Sequence, residues 1–210
     1  MSKKNKKQKM RNIAFITGLF SLFSFIYKLG LGIYSMSLVL IIASFSTLIV
    51  FICKMTFVRT VTKTRAKKKK AYLSMILMCL VYVLIFLLFV VLKVNGIDIS
   101  TQKTYTGWLG GLLISFMVVM FIMSIIKLRG ALEKTDLIVI GLKEVIYISA
   151  LADVVIIENY AYGMYLNYNA DNKLWHVINE FLPLGLGVLM TMTLVFMFIR
   201  YSRYKVETNN

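Results

Sequence analysis

One proline, one histidine and nine acidic residues in 210 positions leave little material for many kinds of chemistry. A single proline means that long helices can run without interruption. The lone His176 has no cysteine or carboxylate cluster around it at metal-ligand spacing, so a structural role is expected for it. Cys53 and Cys79 form no CxxC pair, and free thiols are expected rather than a disulfide framework. No GxSxG, no HExxH, no Cys/His pair at peptidase spacing and no phosphate-cradling glycine loop is present. With so little acid–base material, no enzyme activity and no cofactor are expected.

What is abundant is apolar sequence. Hydrophobic residues make up 59% of the chain, above the roughly 45–50% of a soluble domain, and they fall in runs. Six of these runs are long enough to cross about 30 Å of hydrocarbon. They cover about Ile13 to Gly30, Ile33 to Cys53, Ala71 to Val94, Trp108 to Ile126, Leu137 to Ile157, and Leu182 to Ile199. The expected fold is therefore all-α, a polytopic membrane protein of six transmembrane helices. Residues 1–12 read as a basic cytoplasmic N-terminus, 13–200 as the six-helix domain and 201–210 as a cytoplasmic tail. The first run is too long for a signal peptide and no small-residue cleavage pattern follows it, so it reads as an uncleaved helix. "KLGLG" reads as the turn of a first helical hairpin, and Pro183 as a first-turn residue of the sixth helix.

The net charge of +16 is concentrated between the runs. Twenty of the 25 Lys and Arg residues fall on the side that holds both termini, in the N-terminus, the 54–70 and 127–134 segments and the tail. Only Lys93, Lys103 and Lys173 fall on the other side. The positive-inside rule puts both termini in the cytoplasm. These charges are orientation signals, and nucleic acid is not an expected partner. The run Lys67, Lys68, Lys69, Lys70 reads as an anchor to anionic headgroups of the bilayer. On the outer side, Tyr160, Tyr162, Tyr165, Tyr168 and Trp175 read as an interfacial belt, and "KLWHVINEF" as a short surface helix. Small residues in "GWLGGLLIS" and "LGLG" of the sixth run permit close helix approach.

Ionisable groups within the runs are the candidate functional residues, because they are costly in lipid. At 1.5 Å per residue, Glu144 lies about 10 Å in from the cytoplasmic edge of the fifth helix, beside Lys143. Asp153 lies about 24 Å in, and Lys28 on the first helix reaches about 22 Å, so these two share a depth and are expected to pair. Lys143 and Glu144 diverge by about 100°. Lys143 can snorkel to the interface while Glu144 faces the bundle. Glu144, Asp153, Lys28 and Lys143 are thus the expected polar interior, either as inter-helix glue or as an ion or proton pathway.

The hairpin "YKLGLGIYSMSLVLIIASFSTLIVF" resembles the opening two helices of the cation diffusion facilitator transporters, through Lys28, Gly32 and Ser37. The chain also resembles, over nearly its full length, an uncharacterised family of bacterial six-helix membrane proteins, which share the hairpin and a lysine seven residues before Ala-Leu, here Lys143 and Ala150–Leu151. The resemblance implies a six-helix transporter-like scaffold in the bacterial plasma membrane, multi-pass, with a homodimer as an expected assembly. It also implies a metal site on helices two and five, at positions that fall here on Ser46 and Val50 and on about Val145 and Ser149. None of these is a zinc ligand, and no metal is expected. The expected function is a transporter-like membrane protein that is not a zinc-type exporter; the alternative is a non-transporting membrane partner, an immunity, accessory or scaffolding subunit.

Overall fold

The computed structural model describes residues 3–95, 108–132, 136–166 and 173–204. Among them the chain is all-helical, with six helices: α1 (Lys3–Tyr34), α2 (Leu38–Thr60), α3 (Arg65–Val94), α4 (Trp108–Leu132), α5 (Leu137–Leu166) and α6 (Lys173–Arg203). Among the described residues four segments are long and apolar enough to cross a membrane: Lys7–Tyr34, Leu38–Thr60, Arg65–Val94 and Glu180–Arg203. α5 is long enough too, but carries Lys143, Glu144 and Asp153 within eleven residues.

α5 is the hub. It packs against α2, α3, α4 and α6, while α1 packs along α2 and α3 packs along α6. Residues 137–142 of α5 are all buried, and Val145, Ile148, Leu151, Ala152 and Val155 join the core. α1 lies at the outside of the bundle, with Phe20 and Phe23 about 70% exposed.

The helices are longer than the hydropathic runs, and the turns move accordingly. α1 continues four residues beyond Gly30, so "KLGLG" is helix rather than turn. The reversal comes at residues 35–37. There the Ser37 N–H donates to the Gly32 carbonyl at 2.8 Å and the Met36 N–H to the Ile33 carbonyl at 3.2 Å, the two bonds of a Schellman cap. Met36 takes the left-handed conformation that this cap needs, with φ of 53°. Ser37 then caps α2, its Oγ accepting from the Leu40 N–H at 3.4 Å. Gly32 serves close packing. A Cβ there would sit 3.0 Å from the backbone nitrogen of Ile41 on α2.

The 54–70 segment is likewise mostly helical, with only residues 61–64 between α2 and α3. Basic residues are good helix formers, so hydropathy marks where apolarity stops and not where the helix stops. The N-terminal basic segment is helical from Lys3 for the same reason. "KLWHVINEF" forms the first turns of α6, not a separate surface helix, and Pro183 stands inside α6, buried. The side chains of Tyr160, Tyr162, Tyr165, Trp175 and His176, together with Tyr168, lie outside the described residues, as do the side chains of 109–114 in α4.

Candidate functional site

The polar interior is organised along α5. Four acidic residues lie at or on this helix between 136 and 158, and each meets a cation from another helix. Before the first turn, Asp136 Oδ2 lies 2.6 Å from Lys68 Nζ of α3. About two turns in, Glu144 Oε1 is held by Arg200 of α6, and its Oε2 accepts from the Tyr72 hydroxyl of α3 at 2.8 Å. Further along, Asp153 Oδ1 lies 2.5 Å from Lys28 Nζ of α1. Beyond it, Glu158 Oε2 lies 3.7 Å from Lys93 Nζ of α3. From 136 to 158 the helix rises about 33 Å, close to the thickness of a hydrocarbon layer.

These groups do not form one line. Relative to Glu144, Ser149 is turned by about 140° and Asp153 by about 180°, whereas Glu158 returns to within about 40° of it. Glu144 and Glu158 therefore face α3 and α6, and Ser149 and Asp153 face the α1–α2 hairpin. α5 is held from opposite sides by charge.

Lys28 and Asp153 meet as their shared depth implies, Lys28 buried and Asp153 mostly so, with side-chain exposures of 4% and 13%. Glu144 is buried inward at 2% while Lys143 is half-buried, so the two diverge as the helical angle requires. The positions of the expected metal ligands do come together in part. Ser46 Oγ of α2 lies 2.9 Å from Ser149 Oγ of α5, both buried, with Val50 and Val145 buried on the same two helices. The donor set is two hydroxyls and two hydrocarbons. Neutral serine oxygens offer a transition-metal ion no charge, thiolate or imidazole, so a tetrahedral zinc or iron site has nothing to stand on here. Among the described residues no group of three His, Cys, Asp or Glu side chains converges on a point. Cys53 and Cys79 are free and buried.

Several partners escape a reading of hydropathic runs alone. Arg200 falls just past the sixth run and reads as a tail charge. Because α6 continues to Arg203, it is instead a wall residue, placed to reach Glu144. Lys68 reads as a headgroup anchor, yet it is buried against Asp136. The signal was there in the helical spacing: 68, 72, 75, 79, 82 and 86 form one i+3/i+4 stripe, and all six are buried. Lys69 is engaged as well, donating to the Tyr204 carbonyl at 2.8 Å and standing 4.9 Å above the Tyr201 ring. Lys67 and Lys70 remain exposed. Lys54, counted by hydropathy among the loop charges, is buried in α2 and donates to the Thr17 carbonyl at 2.9 Å and Ser21 Oγ at 2.8 Å. Gly141 explains how Tyr72 reaches Glu144. A Cβ at 141 would clash with the edge of the Tyr72 ring, so only glycine lets that ring come this close to α5.

No family model matches the chain, and no curated protein or solved structure is significantly similar to it. The geometry itself carries the functional reading.

Proposed function

We propose that the chain is an integral membrane protein of six spans with both termini cytoplasmic, built on a carrier-type scaffold whose cargo is not a transition-metal ion. The observation that carries this reading is the α2–α5 seam. The neutral Ser46–Ser149 pair is flanked toward one end of α5 by the Glu144–Arg200–Tyr72 cluster and toward the other by the Lys28–Asp153 pair. The two charge clusters lie on opposite faces of α5 and tie it to different helices. Releasing one while keeping the other lets α5 lean away from α6 or from α1, which exposes the hydroxyl pair to one side at a time. The carboxylates are already neutralised, so the cargo this seam suits is small and uncharged.

Proteoliposomes test this. Uptake of glycerol or urea, followed by stopped-flow swelling, is expected to exceed that of empty liposomes and to change with Arg200→Gln, while Zn2+ uptake stays at background. Zn2+ accumulation would overturn the exclusion of metal. Cysteines placed singly near either terminus, in a chain with Cys53 and Cys79 replaced by Ala, are expected to react only from the cytoplasmic side.

A second reading is favoured by the cation beside each of the four carboxylates, with Glu158 the loosest at 3.7 Å from Lys93. If all four α5 carboxylates serve only to hold helices together, the protein is a non-transporting membrane partner acting through its outer faces. Swelling rates equal to those of empty liposomes, for every solute and for Arg200→Gln, would select that reading.

A further inference from the structure

Outside the α5 seam, α6 and Leu87 of α3 form an open groove of about 280 Å3 lined by Leu87, Val188, Thr191, Met192, Val195 and Phe196. The five α6 residues follow one i, i+3, i+4, i+7, i+8 stripe, about 12 Å long. At one end the helices converge, since a Cβ on Gly187 would sit 2.9 Å from Leu87 Cδ2. The lining is hydrocarbon apart from Thr191, whose hydroxyl is turned to its own helix, donating to the Gly187 carbonyl at 2.8 Å. Nothing in the wall would hold a polar ligand.

Beyond the opposite end lie basic residues. Lys69 precedes Leu87 by eighteen residues, five full turns, and so lies on the same face of α3. Arg203 follows Phe196 by seven residues and lies within about 20° of it on α6. Lys69 ties the start of α3 to the end of α6 through the Tyr204 carbonyl and the Tyr201 ring. Arg203 is exposed. The groove ends at Phe196, about 10 Å short of Arg203 along α6, on the side where the lysine-rich start of α3 also lies.

We propose that this groove binds one acyl chain of an anionic glycerophospholipid from the cytoplasmic leaflet, with the phosphate at Arg203 and Lys69. The inference rests on the membrane reading given above. The charge pattern decides the occupant. A zwitterionic lipid would fill the groove equally well but gains little from the two cations, and a protein helix would have to bring its own acidic terminus to this one point.

The test is native mass spectrometry of the full chain purified with equal phosphatidylglycerol and phosphatidylcholine. One phosphatidylglycerol is expected to be retained in preference to phosphatidylcholine. Arg203→Gln, at an exposed position, is expected to lower that preference about fivefold, the effect of removing one surface cation. Val195→Trp, also exposed, is expected to fill the groove and abolish retention of both lipids. Equal retention of the two lipids, or retention unchanged in Val195→Trp, would overturn the site. Extraction of membrane fractions with alkaline carbonate separates the two levels of argument. A chain released into the supernatant sinks the membrane reading and the site together. A chain that stays in the pellet but shows no lipid preference sinks the site alone.

Discussion

Breaking the Lys28–Asp153 pair is the sharpest perturbation the structure offers. The ammonium and carboxylate are 2.5 Å apart, and both are removed from solvent. Asp153→Asn keeps the shape and leaves the Lys28 charge buried without its countercharge. Lys28→Met does the converse. Removing one member of a buried pair costs about 3–5 kcal/mol, because the remaining ion keeps its desolvation penalty and loses its partner. Removing both leaves an apolar side chain against an amide, a change that is often neutral or worth only a kcal/mol or two. The single changes are thus expected to sum to about 6–10 kcal/mol, and the double change to cost about 2 kcal/mol or less. The coupling energy is then about 4 kcal/mol or more, well above the ~0.5 kcal/mol within which independent sites add. Reversible SDS-induced unfolding of the purified protein in mixed micelles, followed by circular dichroism, reads all four corners of the cycle. Additive losses, or a double variant as unstable as the sum of the singles, would refute the claim that these two charges exist for each other. A small loss for Asp153→Asn alone would refute it too, by showing that water reaches the site.

Other outcomes follow from contacts. Gly141→Ala drives a methyl into the Tyr72 ring and is expected to destabilise by about 1–3 kcal/mol in the same unfolding assay, despite alanine's helix preference. Gly185→Ala, where nothing lies within 4 Å, is expected to stabilise by up to about 1 kcal/mol; the two changes must differ in sign. Tyr72→Phe removes the hydrogen bond to Glu144 and is expected to cost about 1.5–3 kcal/mol, with most of that loss disappearing in a Glu144→Gln background. Met36→Gly relieves a left-handed residue and is expected to raise the free energy of unfolding by about 0.5–1 kcal/mol, since the strain of about 1–2 kcal/mol exceeds the roughly 0.4–1 kcal/mol of entropy that glycine adds to the unfolded chain.

How much of this was legible depends on which physical signal each feature writes into the sequence. Depth is linear in residue number, so counting 1.5 Å per residue from the helix ends brings Lys28 and Asp153 to one level without any knowledge of packing. The divergence of Lys143 and Glu144 is a matter of helical angle and is equally legible. Helix ends are written less clearly. Hydropathy reports the solvent a residue suits, whereas a helix continues wherever backbone bonds can form. This is why the basic flanks 3–12, 54–60 and 65–70 read as outside the helices, and the polar start of α6 as a separate surface helix. That error has a chemical consequence. Placing Arg200 in a tail hides the partner of Glu144, and placing Lys68 in a loop hides the partner of Asp136. Both were recoverable, since 68 and 200 sit on buried stripes that continue out of the apolar runs.

The same distinction bears on what the charges along α5 mean. A carboxylate that binds cargo needs a partner it can leave, and one that only joins helices needs a partner it keeps. The four α5 pairs are not equivalent in this respect. Lys28–Asp153 is tight and buried on both members, and it sits on a hairpin whose two helices are locked by Gly32 against Ile41. Glu144 is different: its cation, Arg200, is still 30% exposed and sits within a turn of the end of α6, where water can compete for the guanidinium. It also has a second, neutral donor in Tyr72 that holds the carboxylate in place when Arg200 leaves. The pair able to open is therefore the one near the end of α6, and the pair that stays shut is the one against α1. On this argument Arg200→Gln alters the motion of α5 while leaving the bundle's stability nearly intact, whereas Lys28→Met destabilises the whole bundle. Measured side by side, solvent accessibility of a cysteine at Ser149 should rise in the first variant before any loss of helical signal. If it rises only together with unfolding, the two pairs are alike and α5 is a fixed strut.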